Sequence, residues 1–302
     1  MMKKILVGIN FKPDMSDVLE DAYLLAYEYD AEIIPVHVIE HNSFYQKHHE
    51  EDMLRELLQK RIGQVQDDLL LKDIKVAAPI IIEGDVGTAL LGVSRELHCD
   101  LLLIGAGEND DRHHTLGQSA KKILRQSKIP IWVSKSTVPL ESFDHIVCAV
   151  DFSQHSQTTL ESAIGMAKTL NADLTVLHVA QEMVLYPGLT EEGVFVSNWG
   201  SHVYSIPFQQ SEELEKEKER LKKMDLDEME EFLEDIDLQG LEINKEILYG
   251  FTYSEILSCV DKHKAGLLVM GSHGRGGFIE RILGGTIEKI LDRLNSTVLV
   301  VM

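Results

Sequence analysis

The chain repeats itself, and this internal duplication limits its fold more than any other feature of the sequence. The short apolar run at 5–9 recurs at 146–150, an offset of 141 residues. Further along, Gly84 corresponds to Gly250 at an offset of 166, and near the end of each half the offset is 167. Because the matches keep their order with only two slips, they indicate a tandem duplication with a 25-residue insertion in the second half.

Short apolar runs alternate with longer amphipathic stretches in both halves. Continuously apolar strands between helices indicate βαβ units, whose parallel sheet is covered by helices on both faces. We therefore predict an α/β fold of two doubly wound domains, each with a five-stranded parallel sheet, at residues 1–138 and 143–302. The predicted strands are 3–9, 32–38, 76–82, 100–105 and 129–134 in the first half and 145–150, 173–179, 242–248, 265–271 and 296–302 in the second. The predicted helices of the first half lie near 15–29, 50–70, 86–97 and 117–127.

The insertion separates the second and third predicted strands of the second half, at about 182–210, and a charged segment follows it at 211–237. Between Glu212 and Asp237 there are 13 acidic and 5 basic residues, with apolar residues at roughly helical spacing. This pattern predicts a long amphipathic helix. Its charges fit either a solvated face or a docking face for a partner protein, and the preceding loop fits either a lid or an interface.

The charge balance argues against polyanionic partners. With 29 Lys and Arg against 50 Asp and Glu, the formal net charge is −21. Such a field repels nucleic acid and anionic membrane surfaces. No apolar run approaches the roughly 18–20 residues that a membrane span needs. We therefore expect no nucleic acid and no membrane among the partners.

The spacing of the cysteines and histidines predicts neither a metal site nor a set of disulfide bonds. Cys99, Cys148 and Cys259 are widely spaced and form no Cys-x-x-Cys pattern. They fit a reducing cytoplasm, without disulfides or a Cys-rich zinc site. Clusters of His and acidic residues near 48–52 and 110–114 are typical of solvated surface, so they predict no metal site either.

One chemically specific segment follows an apolar strand near the end of the chain, where glycines stand at 271, 274, 276 and 277. Glycine lets the backbone approach a ligand closely. At the start of the last predicted helix, Gly284, Gly285 and Thr286 present backbone N–H groups that favour an anion, and Arg275 adds a cation. The segment matches neither a P-loop nor a dinucleotide-binding fingerprint. Two interpretations of the segment remain open: the backbone holds a chain of phosphates, or the segment is a structural turn that binds no ligand.

This segment resembles the glycine motif of the universal stress protein family, and the resemblance covers both halves of the chain. ATP-binding members of the family carry Gly-x2-Gly-x9-Gly-Ser/Thr after the fourth strand. Gly271, Gly274 and Gly284 match this pattern. Gly285 takes the place of the Ser/Thr, and a hydroxyl follows only at Thr286. The resemblance implies a Rossmann-like topology similar to that of the adenine nucleotide α-hydrolases.

The resemblance also implies which residues contact the adenine. Asp151 matches the family's aspartate at the end of the first strand, which faces the base. Val179 matches the residue whose backbone contacts the base. The nucleotide-binding residues that we expect in the second half are those of the glycine segment named above, together with Ala149, Asp151, Val179, Met270 and Arg275.

The first half departs further from the family pattern. Asn10 replaces the aspartate, and Glu108 stands where the second glycine belongs, with Asp110 and Asp111 close by. Because these acids would repel phosphate, we expect the first half to bind no ATP. We expect it to pair with the second half within one chain, as the subunits of family dimers pair, and a homodimer of whole chains is an alternative arrangement.

Together these features imply a cytoplasmic stress-response protein that binds ATP, with or without Mg²⁺, in its second half. The nucleotide would act as a regulatory ligand, since no nucleophile or base is suitably placed and no catalytic residue is predicted. Two alternatives stay open: an interaction protein that needs no ligand, with an unknown protein partner, and a slow ATP hydrolase. Fold alone does not decide among them.

Overall fold

The computed structural model alternates strands and helices through both halves of the chain. It describes residues 2–11, 15–40, 48–107, 116–135, 143–180, 184–186, 194–199, 202–207, 211–273 and 285–302. Within these ranges, the backbone alone is described at 48–54, 184–186, 194–199, 202–207, 211–215 and 217–218.

The elements of the two halves follow the same sequence of strands and helices, apart from the insertion. The first half contains β1 (Lys4–Ile9), α1 (Met15–Tyr29), β2 (Glu32–Ile39), α2 (His48–Leu70), β3 (Ile80–Glu83), α3 (Val86–Glu96), β4 (Leu101–Gly105), α4 (Gln118–Gln126) and β5 (Ile131–Ser134). The second half contains β6 (His145–Val150), α5 (Gln154–Leu170), β7 (Asp173–Ala180), β8 (Val184–Tyr186), β9 (Val194–Trp199), β10 (His202–Pro207), α6 (Ser211–Glu234), β11 (Ile243–Tyr249), α7 (Thr252–His263), β12 (Leu267–Gly271), α8 (Gly285–Leu291) and β13 (Thr297–Val301). Of the helices in the described ranges, none is both long enough and apolar enough to cross a membrane.

Ten strands form one sheet in the order β11-β7-β6-β12-β13-β5-β4-β1-β2-β3. Neighbouring strands within each half are parallel. In each half the chain starts at a central strand, builds outward to one side, and then crosses to the other side. The predicted fold class, two doubly wound five-stranded parallel sheets, is confirmed.

The two sheets join where β5 pairs with β13 in the antiparallel sense. Trp132 lies directly opposite Leu299 in this pairing, and the two residues are equivalent in the sequence repeat. The flanking pairs obey the same two-fold relation. A pseudo-two-fold axis therefore passes between Trp132 and Leu299, and the halves pair within one chain as the sequence analysis expects.

Helices cover both faces of the sheet, and each face has its own apolar core. α1, α2, α5 and α6 pack on one face, where Ile5 and Val7 of β1 are buried. α3, α4, α7 and α8 pack on the other face, where Leu6 is buried. Because successive strand residues point to opposite faces, a continuous apolar run supplies both cores. Both cores extend across β5 and β13, so the two halves share them.

Polar contacts add to the junction between the halves. The backbone N–H of Leu116 donates to Asp292 Oδ1 over 2.9 Å. Arg125 of α4 forms an ion pair with Glu288 of α8, with 2.6 Å between Nη2 and Oε1. The junction thus combines strand pairing with contacts between helices of the two halves.

Strand β3 differs from the sequence prediction. The sequence predicts a strand at 76–82, whereas β3 begins at Ile80, and an isolated bridge joins Val76 to Ile33. Pro79 lies between the bridge and the strand. Because proline has no N–H to donate, it interrupts the ladder and is tolerated here on an edge strand.

The insertion also differs from the prediction, which expects a loop. Its described residues form β8, β9 and β10, which pair as a separate antiparallel sheet in the order β10-β9-β8. The charged segment after it forms α6, as predicted. Met229, Phe232 and Leu233 are buried in the same core as α1 and α5, while Met224 is 38% exposed. One face of α6 therefore packs on the sheet as a long amphipathic helix does.

Candidate functional site

The strand order of the second half reverses direction at β6, next to the carboxyl ends of β7 and β12. From β6 the chain crosses to β7 on one side, whereas β12 lies on the other side of β6. In open α/β sheets, ligands bind outside the carboxyl ends of strands where the order reverses in this way. Ala149, near the end of β6, faces Leu177 of β7 and Met270 of β12 in register. Two of the predicted site residues, Ala149 and Met270, therefore lie side by side at this edge.

Asp151 follows β6 at the same edge and is held by the first turn of α5. Its Oδ1 accepts hydrogen bonds from the Ser153 backbone N–H (3.1 Å), the Ser153 hydroxyl (2.6 Å) and the Ser156 hydroxyl (2.5 Å). Ser153 also caps α5, because its hydroxyl oxygen accepts from the Ser156 N–H. The position of the carboxylate is therefore set by the fold itself.

In each half, a phenylalanine with left-handed backbone comes directly after the residue that follows the first strand, which is Asn10 or Asp151. Phe152 has a left-handed φ of 59°, and its ring stacks on His178 with 4.1 Å between centroids. His178 Nδ1 donates to the carbonyl of the last residue of β6 over 2.9 Å. In the first half Phe11, with a φ of 56°, packs against His37, which makes the equivalent hydrogen bond to β1. Since left-handed backbone costs a bulky residue about 1–3 kcal/mol, its repetition indicates that this turn is needed in both halves.

Gly271 ends β12 at a position where the neighbouring side chain leaves no room. A Cβ there would lie 2.8 Å from Cδ2 of His155 and 3.2 Å from the carbonyl oxygen of His273. His155 Nε2 donates to the carbonyl of Val301 over 3.2 Å, and this hydrogen bond helps hold the ring in place. The glycine therefore has a packing role that does not depend on a ligand.

The structure brings together Ala149, Asp151, Val179 and Met270 at the carboxyl edge of β6, β7 and β12. Some of the remaining expected residues lie among those that the structure describes, and others lie outside them. Gly285 and Thr286 begin α8. Gly274, Arg275 and Gly284 of the second half and Glu108, Asp110 and Asp111 of the first lie outside the described residues. The phosphate-binding loop at 274–284 therefore stays a sequence-based prediction.

The sequence analysis did not assign Ser153 and Ser156, although both hold Asp151. The signal was available, because an acidic residue followed by serine two and five positions later favours a side-chain-capped turn into a helix. The repeat places Lys12 and Met15 at the equivalent positions of the first half. The two serine donors are therefore particular to the second half.

Comparison with known proteins agrees with the fold over the whole chain. The family model described as the universal stress protein family matches residues 1–135 and 142–302. The chain is 30% identical over 159 residues to universal stress protein MJ0531 of Methanocaldococcus jannaschii, covering 53% of this chain and 82% of that protein. It is 29% identical over 159 residues to universal stress protein YxiE of Bacillus subtilis, covering 53% of this chain and 99% of that protein. Each of these matches covers about one half of this chain.

A solved structure matches both halves at once. The crystal structure of a universal stress protein from Archaeoglobus fulgidus superimposes with a TM-score of 0.70 at 22% sequence identity, covering 99% of this chain and 97% of that chain. At this identity the match supports the fold. From the two family matches and the repeated topology, the chain belongs to the universal stress protein family and carries two family domains in tandem.

Proposed function

We propose that this protein is a cytoplasmic stress-response protein whose second half binds one ATP as a regulatory ligand. One observation carries the proposal. Asp151 is held by Ser153 and Ser156 at the carboxyl edge of β6, next to β12, where the strand order reverses. This is the position at which ATP-binding relatives carry the aspartate that faces the base.

The described residues fit the base of an adenine nucleotide. Adenine offers an amino donor, and a carboxylate oxygen accepts such a hydrogen bond. Val179, half-buried at the end of β7, offers backbone groups, while Ala149 and the buried Met270 supply an apolar surface beside them. The phosphates would extend toward the glycine-rich segment at 274–284, with or without Mg²⁺.

The same comparison supports binding in one half only. Asn10 stands at the position of Asp151, and Met15 at the position of Ser156. An amide in place of the carboxylate removes the negative charge. We therefore propose one site per chain, with the first half as the structural partner.

We propose a regulatory ligand rather than a substrate because Asp151 belongs to the base end of the site. Hydrolysis would take place at the phosphates, on the far side of the nucleotide from this carboxylate. Binding and release of ATP would then control a surface of the protein, such as the insertion or an interface with a second chain.

The test begins with the nucleotide that copurifies with the protein, followed by calorimetric titration of ATP into the stripped form. We expect about one ATP per chain, with binding abolished by Gly274→Val, since a branched side chain would block the backbone approach. The matched control is Glu108→Val, which makes the same side chain at the equivalent position of the first half and should leave binding intact.

Other outcomes contradict the proposal in different ways. No binding at millimolar ATP would overturn it and favour an interaction protein that needs no ligand. Two ATP per chain would show that the first half also binds. Phosphate release that is lost in Asp151→Ala would favour an ATP hydrolase.

A further inference from the structure

A second polar cluster lies between the outermost strand β11 and helix α7, on the face of the sheet that α3, α4, α7 and α8 cover. It consists of Glu246 on β11 and two residues of α7, Cys259 and His263, four positions apart. One ligand atom from each residue lies within 4.8 Å of the other two. Residues four apart on a helix share a face, so the thiol and the imidazole approach the strand carboxylate from one side.

The contacts within the cluster are close and directional. His263 Nε2 lies 2.6 Å from Glu246 Oε1, and the Cys259 thiol lies 3.9 Å from Glu246 Oε2. Lys262 Nζ also donates to Glu246 Oε1 over 2.7 Å, although its side chain is 60% exposed. The thiol is buried, while the carboxylate and the imidazole keep side-chain exposures of 17% and 19%. An ion from solvent could therefore reach the cluster past the carboxylate and the imidazole.

The first half shows that the fold does not need polar residues here. The repeat places Ile80, Val93 and Leu97 at the positions of Glu246, Cys259 and His263, respectively. All three apolar residues belong to, or pack against, the core beneath α3 and α4. The second half thus carries a thiol, an imidazole and a carboxylate where the first half has hydrophobic contacts.

We propose that Glu246, Cys259 and His263 bind a divalent transition-metal ion, Zn²⁺ by the chemistry of the ligands. Thiolate sulfur, imidazole nitrogen and carboxylate oxygen are its usual protein ligands, and water can fill a fourth tetrahedral position. At Zn–N and Zn–O distances near 2.0–2.1 Å, tetrahedral ligand atoms stand about 3.3 Å apart. The distance between the His263 nitrogen and the Glu246 oxygen must therefore increase by somewhat less than 1 Å when the ion binds. Lys262 must also give up its hydrogen bond to Glu246, so that the carboxylate can bind the ion.

A neighbouring histidine holds the imidazole in position. His145 stacks on His263 with 4.6 Å between centroids and an interplanar angle of 14°. His145 Nε2 in turn lies 2.8 Å from the hydroxyl of Thr175, which is buried. The stacking therefore restricts rotation of the His263 ring.

The test is titration of the full-length, metal-free protein with Zn²⁺ by competition against a chelating dye, together with Co²⁺ absorbance. We expect about one Zn²⁺ per chain and a thiolate-to-cobalt charge-transfer band. Cys259→Val and His263→Leu, which copy the first half and so preserve packing, should each lower Zn²⁺ affinity at least about tenfold. Binding should also release protons, because zinc coordinates the thiolate.

Two further variants sharpen the test. Cys99→Ala removes a buried thiol of the first half and should leave the cobalt band unchanged. Lys262→Ala removes the cation that competes for Glu246 and should raise Zn²⁺ affinity several-fold.

The proposal fails if the protein binds no Zn²⁺, or if Cys259→Val and His263→Leu bind it as tightly as the wild type. Zinc binding without a thiolate band would mean that Cys259 does not hold the ion, and it would equally overturn the proposal. These results do not test ATP binding, because Glu246, Cys259 and His263 are not among the residues expected to bind the nucleotide.

Discussion

The first and second halves share a strand order, a Phe–His turn after the first strand and two continuous cores, but their polar clusters lie in different places. In the first half, Asp21 of α1 accepts hydrogen bonds from Trp132 Nε1 (2.8 Å) and the Ser134 hydroxyl (2.5 Å). The second half carries Ser162, Leu299 and Val301 at those three positions. Conversely, the first half carries Lys12 and Met15 at the positions of the serine donors around Asp151, and apolar residues at the positions of the cluster at Glu246.

This difference separates what the fold requires from what it tolerates. Features present in both halves, such as the left-handed phenylalanine and the alternating buried strands, are the ones that build the sheet. Each polar cluster occurs in one half only. At the equivalent positions, the other half carries apolar residues or a different polar side chain. A buried polar group costs free energy unless it is paired, so a cluster that the fold can do without needs another explanation.

The largest expected effect concerns the axis between the halves. Trp132→Ala should lower the free energy of unfolding by about 3–5 kcal/mol, because it leaves a large cavity and removes a donor from Asp21. Leu299→Ala, on the other side of the axis, should cost less, since it removes fewer atoms and no hydrogen bond. Denaturant unfolding of both variants measures the difference, and Leu71→Ala, at an 85% exposed position, is the control with an effect near zero. Equal losses at Trp132 and Leu299 would mean that the Asp21 network adds nothing.

The next effect is a dependence on pH that belongs to the first half. Burial raises the pKa of Asp21 from its ordinary 3.8 to about 6, against the opposing effect of its hydrogen bonds to Ser134 and Trp132. Between about pH 4 and 6 the folded protein thus binds more protons than the unfolded chain, so this residue's contribution to stability falls as pH rises through that window. Asp21→Asn keeps an oxygen acceptor but cannot ionise. The difference in unfolding free energy between Asp21→Asn and the wild type should therefore shift in favour of the variant between pH 4 and pH 8. The expected shift is up to about 3 kcal/mol.

Unfolding of both proteins at the two pH values gives this number. Glu28→Gln, at an exposed position of the same helix that does not contribute to the Asp21 pKa shift, serves as the control for loss of a carboxylate. A difference between wild type and Asp21→Asn that does not change with pH would show that Asp21 does not titrate in this range.

A third prediction exchanges the residues after the first strands. Asp151→Asn gives the second half the residue of the first, and it keeps an oxygen that can accept from Ser153 and Ser156. We expect ATP affinity to fall about 10- to 100-fold, the value of a hydrogen bond to a charged group. Asn10→Asp should create no second site, because the first half still lacks the glycine at Glu108. Calorimetric stoichiometry distinguishes these outcomes, and unchanged affinity in Asp151→Asn would remove the carboxylate from base recognition.

The fold could be predicted from the sequence because its signals are local and occur twice. Buried parallel strands give uninterrupted apolar runs. Because the sequence repeats, a strand predicted in one half could be compared with the equivalent run in the other half. Strand β3 begins later than predicted because Pro79 interrupts the ladder. The proline is visible in the sequence, but the prediction rested on the apolar run around it. The small antiparallel sheet of the insertion has no counterpart in the first half, so no repeat was available to indicate it.

The candidate site could be predicted only in part. Asp151 and Gly271 carry motif signals, but the pairing of Ala149 with Met270 depends on strand order, which periodicity does not determine. The cluster at Glu246 was missed for the same reason. Its spacing of four residues on α7 is visible in the sequence, but the third ligand comes from a strand that only the folded chain brings close. The domain boundaries and the loop at 274–284 stay predictions.

The smallest expected effect concerns the ion pair that joins the halves across the axis. Arg125 and Glu288 lie on α4 and α8, with side-chain exposures of 48% and 29%, so solvent and salt screen their attraction. Such pairs contribute about 0.2–1 kcal/mol. A double-mutant cycle of Arg125→Met and Glu288→Gln, measured by denaturant unfolding, should give a coupling energy in that range at low salt and a smaller one at high salt. If the coupling were much larger and independent of salt, charge would hold the halves together. The small value that we expect assigns this role to the pairing of β5 with β13 and to the two cores that run across it.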